Sequence, residues 1–389
     1  MKKLLIVNNN MKVGGVQKSL YNLLWSLDPA EYDVTLLLFS KTGPYLDSLP
    51  AHVRVVECGG PFRYFGKSQG EYRGVAALVR GFWAAISRLL GRDVAVGLML
   101  LRQPKWKESY DCAISFLHNG RRKSFYGGAQ DYVLHRVTAD RKIAWLHCDY
   151  LNCGANHSQN NRMMEQFDTI AACSEGCRQS FLAALPHLAE RSVTVPNCHR
   201  FEEIRALAEQ QPMTYDPNQV QVVTVARLTH EKGLERAVRA VAAAKGRGLP
   251  VVLHLVGDGP MGQSLRELAA QEGVASAVVF HGQQENPYRY MKQADLLLLS
   301  SYHEAAPMVL DEAGCLGLPV LTTATTSSED MVTQRKAGWV CENSQQALND
   351  MLCHVLSNPE ELAQVKSRLN TTPMDNREAL GQFAAVVNG

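Results

Sequence analysis

Short apolar runs of two to seven residues alternate with helix-period stretches along the whole chain, and this alternation does most to limit the fold. Strands that succeed one another only after a helical crossover pair in parallel, with helices covering the sheet faces. The runs lie at 4–8, 34–38, 112–116, 143–146, 169–172 and 193–195. A second series lies at 220–226, 251–256, 278–280, 296–299, 320–322 and 339–340. Between the series, residues 210–219 (QQPMTYDPNQ) are polar and proline-bearing, which marks a linker or domain entry. The 389 residues are enough for two α/β domains with separate cores, expected at 1–200 and 201–370. Residues 371–389 contain DNREALGQFAAVV, a terminal helical pattern.

Bulk composition excludes several classes. Apolar content of 46% with 20% charged residues is that of a soluble globular protein. The opening MKKLLIVNNN has a four-residue apolar run and no small-residue cleavage site, so LLIV is expected to be a buried first strand rather than part of a signal peptide. Ten cysteines without framework spacing suit a reducing cytoplasm. The net charge of +2 is unevenly spread: residues 1–200 hold 25 Lys and Arg against 16 Asp and Glu, and residues 201–389 hold 15 against 22. A basic first half implies an anionic partner, either a membrane surface or a charged acceptor. Nucleic acid is disfavoured because no recognition motif accompanies the charge.

Residues 74–107 are apolar but broken by Arg80, Arg88, Arg92 and Asp93, so no run approaches the ~20 residues that span a bilayer. A helix through Leu78, Phe82, Trp83, Ile86, Leu89 and Leu90 can lie in a membrane interface, or pack on the sheet with snorkelling arginines. The packed form is the expectation for folding, with peripheral contact at the inner face of a membrane as the alternative.

The chemistry-bearing segments follow strands. In SSYHEAAPMVLDEAG, Pro307 suits the first position of a helix, with Glu304 in the loop before it and Glu312 more than one turn inside. The helix N-terminus between them, with the amides at Met308 and Val309, offers an anion free N–H groups and about half a positive charge. In VARLTHEKG, Arg227 and Lys232 leave the carboxyl edge of a strand, and Gly233 lets the backbone turn into the next helix. VGDGP places Gly257 and Gly259 in another strand-to-helix turn. Gly14 and Gly15 stand between the first strand and a leucine-rich helix; they do not form G-x-G-x-x-G, which disfavours a nicotinamide site. His147 ends the strand IAWL, with Asp149 near enough in sequence to orient it. HCDYLNCGANH also sets His147, Cys148, Cys153 and His157 at knuckle-like spacing. No other feature asks for zinc, and no metal is expected there. G-x-S-x-G, P-loop and D-x-D patterns are absent.

Glu304, Pro307, Glu312, Ala313, Gly317, Pro319 and Val320 together resemble the E-x7-E element of retaining GT-B glycosyltransferases of the large family GT4. Arg227, Lys232 and Gly233 resemble that family's G-R-L-x-x-x-K-G, with Ala226 replacing a common glycine. VPN at Val195 to Asn197 is similar to its inter-domain signature. The resemblance implies two Rossmann-like domains facing a central cleft, the first binding acceptor and the second the nucleotide sugar. It implies a terminal helix, residues 371–389, packed back on the first domain. It gives Arg227 and Lys232 the donor diphosphate, Glu312 the ribose, Glu304 the donor sugar, Gln283 the base, and Gly14, Gly15 and Gly257 positions beside the ligand. Ala305 and Ala306 replace the Gly and Phe whose amides hold the hexose, narrowing the sugar side. His147 matches a histidine that touches the donor sugar. The implied activity is transfer from a UDP-linked sugar to a hydroxyl acceptor, lipid-linked or an anionic glycan, in polysaccharide or glycolipid synthesis, with no cofactor or divalent metal required. A sugar epimerase of the same fold and a non-catalytic sugar-nucleotide binder are the alternatives.

Overall fold

A computed structural model describes residues 1–389, which divide into two compact units. The first joins Met1–Cys198 to Asn376–Gly389, and the second is His199–Asp375. In the first unit the strands are β1 Lys2–Asn8, β2 Tyr32–Leu38, β3 Arg54–Glu57, β4 Ser109–Ser115, β5 Thr138–Leu146, β6 Thr169–Ala172 and β7 Ser192–Thr194. They pair in parallel in the order β3-β2-β1-β4-β5-β6-β7. In the second unit, β8 Val220–Val225, β9 Val251–Val256, β10 Val278–Gly282, β11 Leu296–Leu299, β12 Val320–Thr323 and β13 Gly338–Cys341 pair in parallel as β10-β9-β8-β11-β12-β13. Each is a Rossmann-like doubly wound sheet.

Both sheets reverse their winding direction once. In the first, β2 and β3 lie on one side of β1 while β4 begins the other side; in the second, β8 and β11 flank the equivalent point. Ligands in open α/β sheets bind in the crevice at such a reversal, beyond the carboxyl ends of the strands. Near-continuous burial of Leu4 to Val7 and of Leu296 to Leu299 shows why these strands read as apolar runs rather than alternating ones. β3 was not anticipated: RVVE has charge at both ends, and its pattern of exposed ends around two half-buried valines is that of an edge strand.

The terminal helix, Arg377–Asn388, belongs to the first unit's core. Phe383 is fully buried, edge-on to Tyr32 at 5.8 Å and 6.1 Å from Trp145. Lys2 Nζ donates to Val387 O at 2.9 Å.

The expected helix through Leu78 to Leu90 is Gly74–Leu90, and Gly91, with φ 101, turns the chain into a second helix, Arg92–Arg102. Trp83 and Ser87 face the core while Val75, Leu78, Phe82 and Leu89 form an exposed row at heptad spacing. Arg92 does not snorkel. It is 2% exposed and bonded to Asp131, to Asn119 Oδ1 at 2.8 Å and to Tyr126 O at 3.0 Å. Arg80 is half-buried, donating to Lys67 O at 3.0 Å and Gln69 Oε1 at 2.9 Å with its guanidinium 5.3 Å from the Phe125 ring, and Arg88 is exposed. No helix is long and apolar enough to cross a membrane.

Candidate functional site

The second unit gathers most of the sequence-derived residues on the loops that follow β8, β9 and β11. After β8 the chain runs through Arg227 into a single 3-10 turn, His230–Lys232, and then into the helix Leu234–Gly246. Gly233 makes that junction with φ 57; a Cβ there would stand 2.2 Å from Ser300 O. Glycine is therefore required by the close approach of the β8 and β11 loops. Tyr302 N donates to Glu231 O at 3.0 Å and Ser300 Oγ to Lys232 O at 3.2 Å, which fastens one loop to the other.

That fastening brings Lys232 Nζ to 2.6 Å from Glu304 Oε1, with both side chains mostly buried. Ser301 Oγ donates to the same oxygen at 2.7 Å. A lysine and a carboxylate 72 positions apart thus converge at the sheet's reversal point. Arg227 is different: it is exposed, and only Glu231 Oε1, at 3.4 Å, engages its guanidinium. It can swing onto a ligand without breaking a buried contact.

The helix Met308–Cys315 starts one residue later than expected, with Pro307 as its N-cap rather than its first helical residue. Pro307 has φ −68 but ψ 115, an extended conformation, because the chain is still leaving the glutamate loop at that point. No side chain caps this end. The amides of Met308 and Val309 precede the first intrahelical donor, Leu310 N to Pro307 O at 3.1 Å. Glu312 is 2% exposed, in the second turn. Ala305 is held through its carbonyl by Ser327 Oγ, and Thr323 Oγ1 donates to Ser301 O at 2.7 Å. Sequence reading missed Ser301, Thr323 and Ser327; all three are hydroxyls beside the glutamate loop, and the pair of serines preceding Tyr302 was the available signal.

Beside Glu312, Asp311 is buried against His199 Nε2 at 3.1 Å and against Arg335. Burial by itself raises this carboxyl, but the two basic partners outweigh it and hold it below its ordinary range. A second missed cation, Arg236, is 3% exposed; it donates to Asn343 Oδ1 at 2.7 Å and lies 4.8 Å from the Tyr302 ring.

Gly257 and Gly259 are structural necessities. Cβ atoms there would lie 1.9 Å from Ala226 O and 2.5 Å from Leu228 O, so the β8 and β9 exits are laced together backbone to backbone. Leu228 N donates to Asp258 O at 2.9 Å, and Met261 N to Leu228 O at 3.0 Å. Gln283 is exposed just past β10.

In the first unit, Gly14 caps the helix Gly15–Ser26 at the exit of β1. A Cβ at Gly15 would meet nothing within 4 Å, and one at Gly14 only the end of Gln17. Neither glycine is demanded by the fold, in contrast to Gly257. His147 leaves β5 with its ring 4.7 Å from Phe116 and its Nε2 buried without a hydrogen-bond partner. Burial first, and His118 second, push its pKa down to about 3, so it is neutral at physiological pH. Asp149 accepts from Ser180 Oγ and from Asn152 Nδ2. His157, the last residue of the knuckle-like spacing, caps the helix Ser158–Met164, its Nδ1 facing Asn160 N.

Residues 208–370 match the sequence model of the family described as "Glycosyl transferases group 1". The lipopolysaccharide glucosyltransferase WaaG of Escherichia coli is 36% identical over 130 residues, covering 32% of this chain and 34% of that protein. The amylovoran biosynthesis glycosyltransferase AmsK of Erwinia amylovora is 30% identical over 142 residues, 34% of this chain and 35% of that protein. The aligned segments thus span about a third of these relatives' length. The crystal structure of Anabaena Alr3699/HepE in complex with UDP has a TM-score of 0.68 at 18% identity and covers 100% of both chains. That likeness establishes a fold shared with GT-B glycosyltransferases.

Proposed function

We propose that the chain is a retaining GT-B glycosyltransferase of the GT4 type, moving a sugar from a UDP-linked donor to a hydroxyl acceptor in cell-surface polysaccharide or glycolipid synthesis. The observation that carries the reading is the convergence of Lys232 and Glu304 at the reversal point of the second sheet, next to the uncapped start of Met308–Cys315. Three things support it: the family match over 208–370, relatives named for polysaccharide and lipopolysaccharide synthesis, and a structural neighbour that holds UDP.

In this reading the donor diphosphate takes Arg227, Lys232 and the amides of Met308 and Val309. Glu312 accepts from the ribose hydroxyls and Glu304 from the sugar. When the glycosidic bond breaks, its electron pair goes to the diphosphate oxygen, whose growing charge the two cations offset. Preorganised groups of this kind contribute on the order of 3 kcal/mol each to the barrier. The side chains supply no obvious nucleophile, so the leaving phosphate takes the acceptor proton. Gly14, Gly15 and His147 line substrate on the first unit, where the open space beside Gly15 admits it. The exposed row Val75, Leu78, Phe82 and Leu89 rests on an anionic membrane that presents a lipid-linked acceptor.

Donor hydrolysis across UDP-, GDP- and ADP-sugars tests the assignment. One UDP-sugar should be turned over, with Lys232→Ala slowing it about 10²–10³-fold. Binding without turnover in the presence of candidate acceptors, or interconversion of the sugar with no acceptor present, would replace it by the binding or epimerase reading.

A further inference from the structure

The exits of β4 and β5 carry a cluster that the transfer reading does not use. These strands are adjacent and in register, Ser115 beside Ala144, so the loops leaving their carboxyl ends emerge side by side. The first brings His118, and the second brings Cys148 and Cys153. A ring nitrogen of His118 and the two sulfurs all lie within 4.8 Å of one another. The sulfurs are 3.2 Å apart.

This grouping is held by protein contacts. Asn152 N and Cys153 N donate to Asp149 O at 3.2 and 2.8 Å, closing the turn that returns Cys153 to Cys148. The Asp149 carboxylate is pinned from outside by Ser180 Oγ. Beyond the turn, Gly154 sits at φ 85, where a Cβ would strike the Arg121 side chain. His118 supplies an independent sign that a ligand belongs here: its Nδ1 is buried with no hydrogen-bond partner. A buried polar atom without a partner is destabilising unless something satisfies it.

We propose that His118, Cys148 and Cys153 form a thiolate-rich site for a zinc ion. Zn–S and Zn–N bonds of about 2.3 and 2.0–2.1 Å put any two donors roughly 3.3–4.5 Å apart, so the three atoms close around the ion with small movements. Binding ionises both thiols and releases two protons. The ion's double charge then cancels two thiolates, leaving a neutral complex in a largely buried pocket. Cys148 is buried while His118 and Cys153 are half-buried, so the side they border is open to solvent and to a fourth ligand. The donor set differs from the knuckle-like spacing in the sequence, at which no metal was expected, since His118 lies 30 positions before Cys148 and takes the place of His147 and His157. The three donors all belong to the first unit, whereas Lys232 and Glu304 belong to the second, and the proposal is independent of the transferase assignment.

Reduced protein, desalted after incubation with zinc chloride, should retain an equimolar amount of zinc by mass spectrometry. Cobalt loading should give a thiolate-to-metal charge-transfer band in the near ultraviolet. Cys153→Ser should bring zinc to background and abolish the band while circular dichroism stays unchanged. His118→Gln should keep a weakened band and bind at least tenfold less tightly. Three results would overturn the proposal: no zinc above background in the reduced wild type, zinc retained equally by Cys153→Ser, or a Cys148–Cys153 disulfide that re-forms in reducing buffer and leaves no thiols to bind.

Discussion

Lys232 and Glu304 meet at 2.6 Å with Ser301 on the same carboxylate oxygen, so each is positioned before any substrate arrives. In the proposed reading, a diphosphate beside Lys232 competes for its ammonium, and Glu304 is then freed to accept from a sugar hydroxyl while Ser301 keeps it in place. Ser301→Ala should therefore raise KM for the donor more than it lowers kcat, whereas Glu304→Gln should lower kcat; steady-state kinetics on the two variants separates the roles. A second residue-scale effect comes from His254, which is 5% exposed inside β9. Its Nε2–H donates to Gln221 Oε1 at 2.8 Å, and its Nδ1 accepts from His281 Nε2 at 2.9 Å. Tyr215 covers the ring at 4.4 Å. Burial first, then His281, lowers the His254 pKa to about 4 from 6.5. A lowered pKa means that the stabilisation is complete above 6.5 and is lost as pH falls through 4. The second unit should lose on the order of 3 kcal/mol over that interval. Thermal unfolding followed from pH 7 to 4 should show the loss, and His254→Gln should flatten it.

At the scale of elements, what fixes the first unit is the return of its last helix. Phe383 fills a space between Tyr32 and Trp145 that no local segment covers. Phe383→Ala should cost about 3–5 kcal/mol, read from urea unfolding of the first unit. Runs such as Leu4 to Val7 and Leu296 to Leu299 were legible because strands buried on both faces are continuous in apolar residues. β3 was not, since an edge strand buries too little to leave that trace. The split of 74–107 was also hidden: Gly91 among apolar residues reads as a tolerated helical glycine until its φ of 101 is seen.

On the scale of the whole molecule, a basic first half and a row of exposed Val75, Leu78, Phe82 and Leu89 belong to the same unit. Each apolar side chain left in water forgoes about 1.5–3 kcal/mol of burial, which a lipid interface would restore. Flotation with vesicles of anionic phospholipid should recover the protein at low salt, less of it at high salt, and little of the Leu78→Glu, Phe82→Glu double variant. Equal recovery of wild type and variant would remove the row from the membrane contact.

Sequence alone determined the parallel α/β architecture, the glycines at the strand exits and the location of the Arg227, Lys232 and Glu304 loops. All of these are written in local periodicity or in turn chemistry, which act over a few residues. Tertiary structure decided which distant groups meet. Ser301 joining Lys232 on Glu304, Arg92 buried against Asp131, and His118 displacing His147 and His157 beside the two thiols all depend on strand order. Strand order is set by how whole faces bury against each other, and no segment of the chain carries that information by itself.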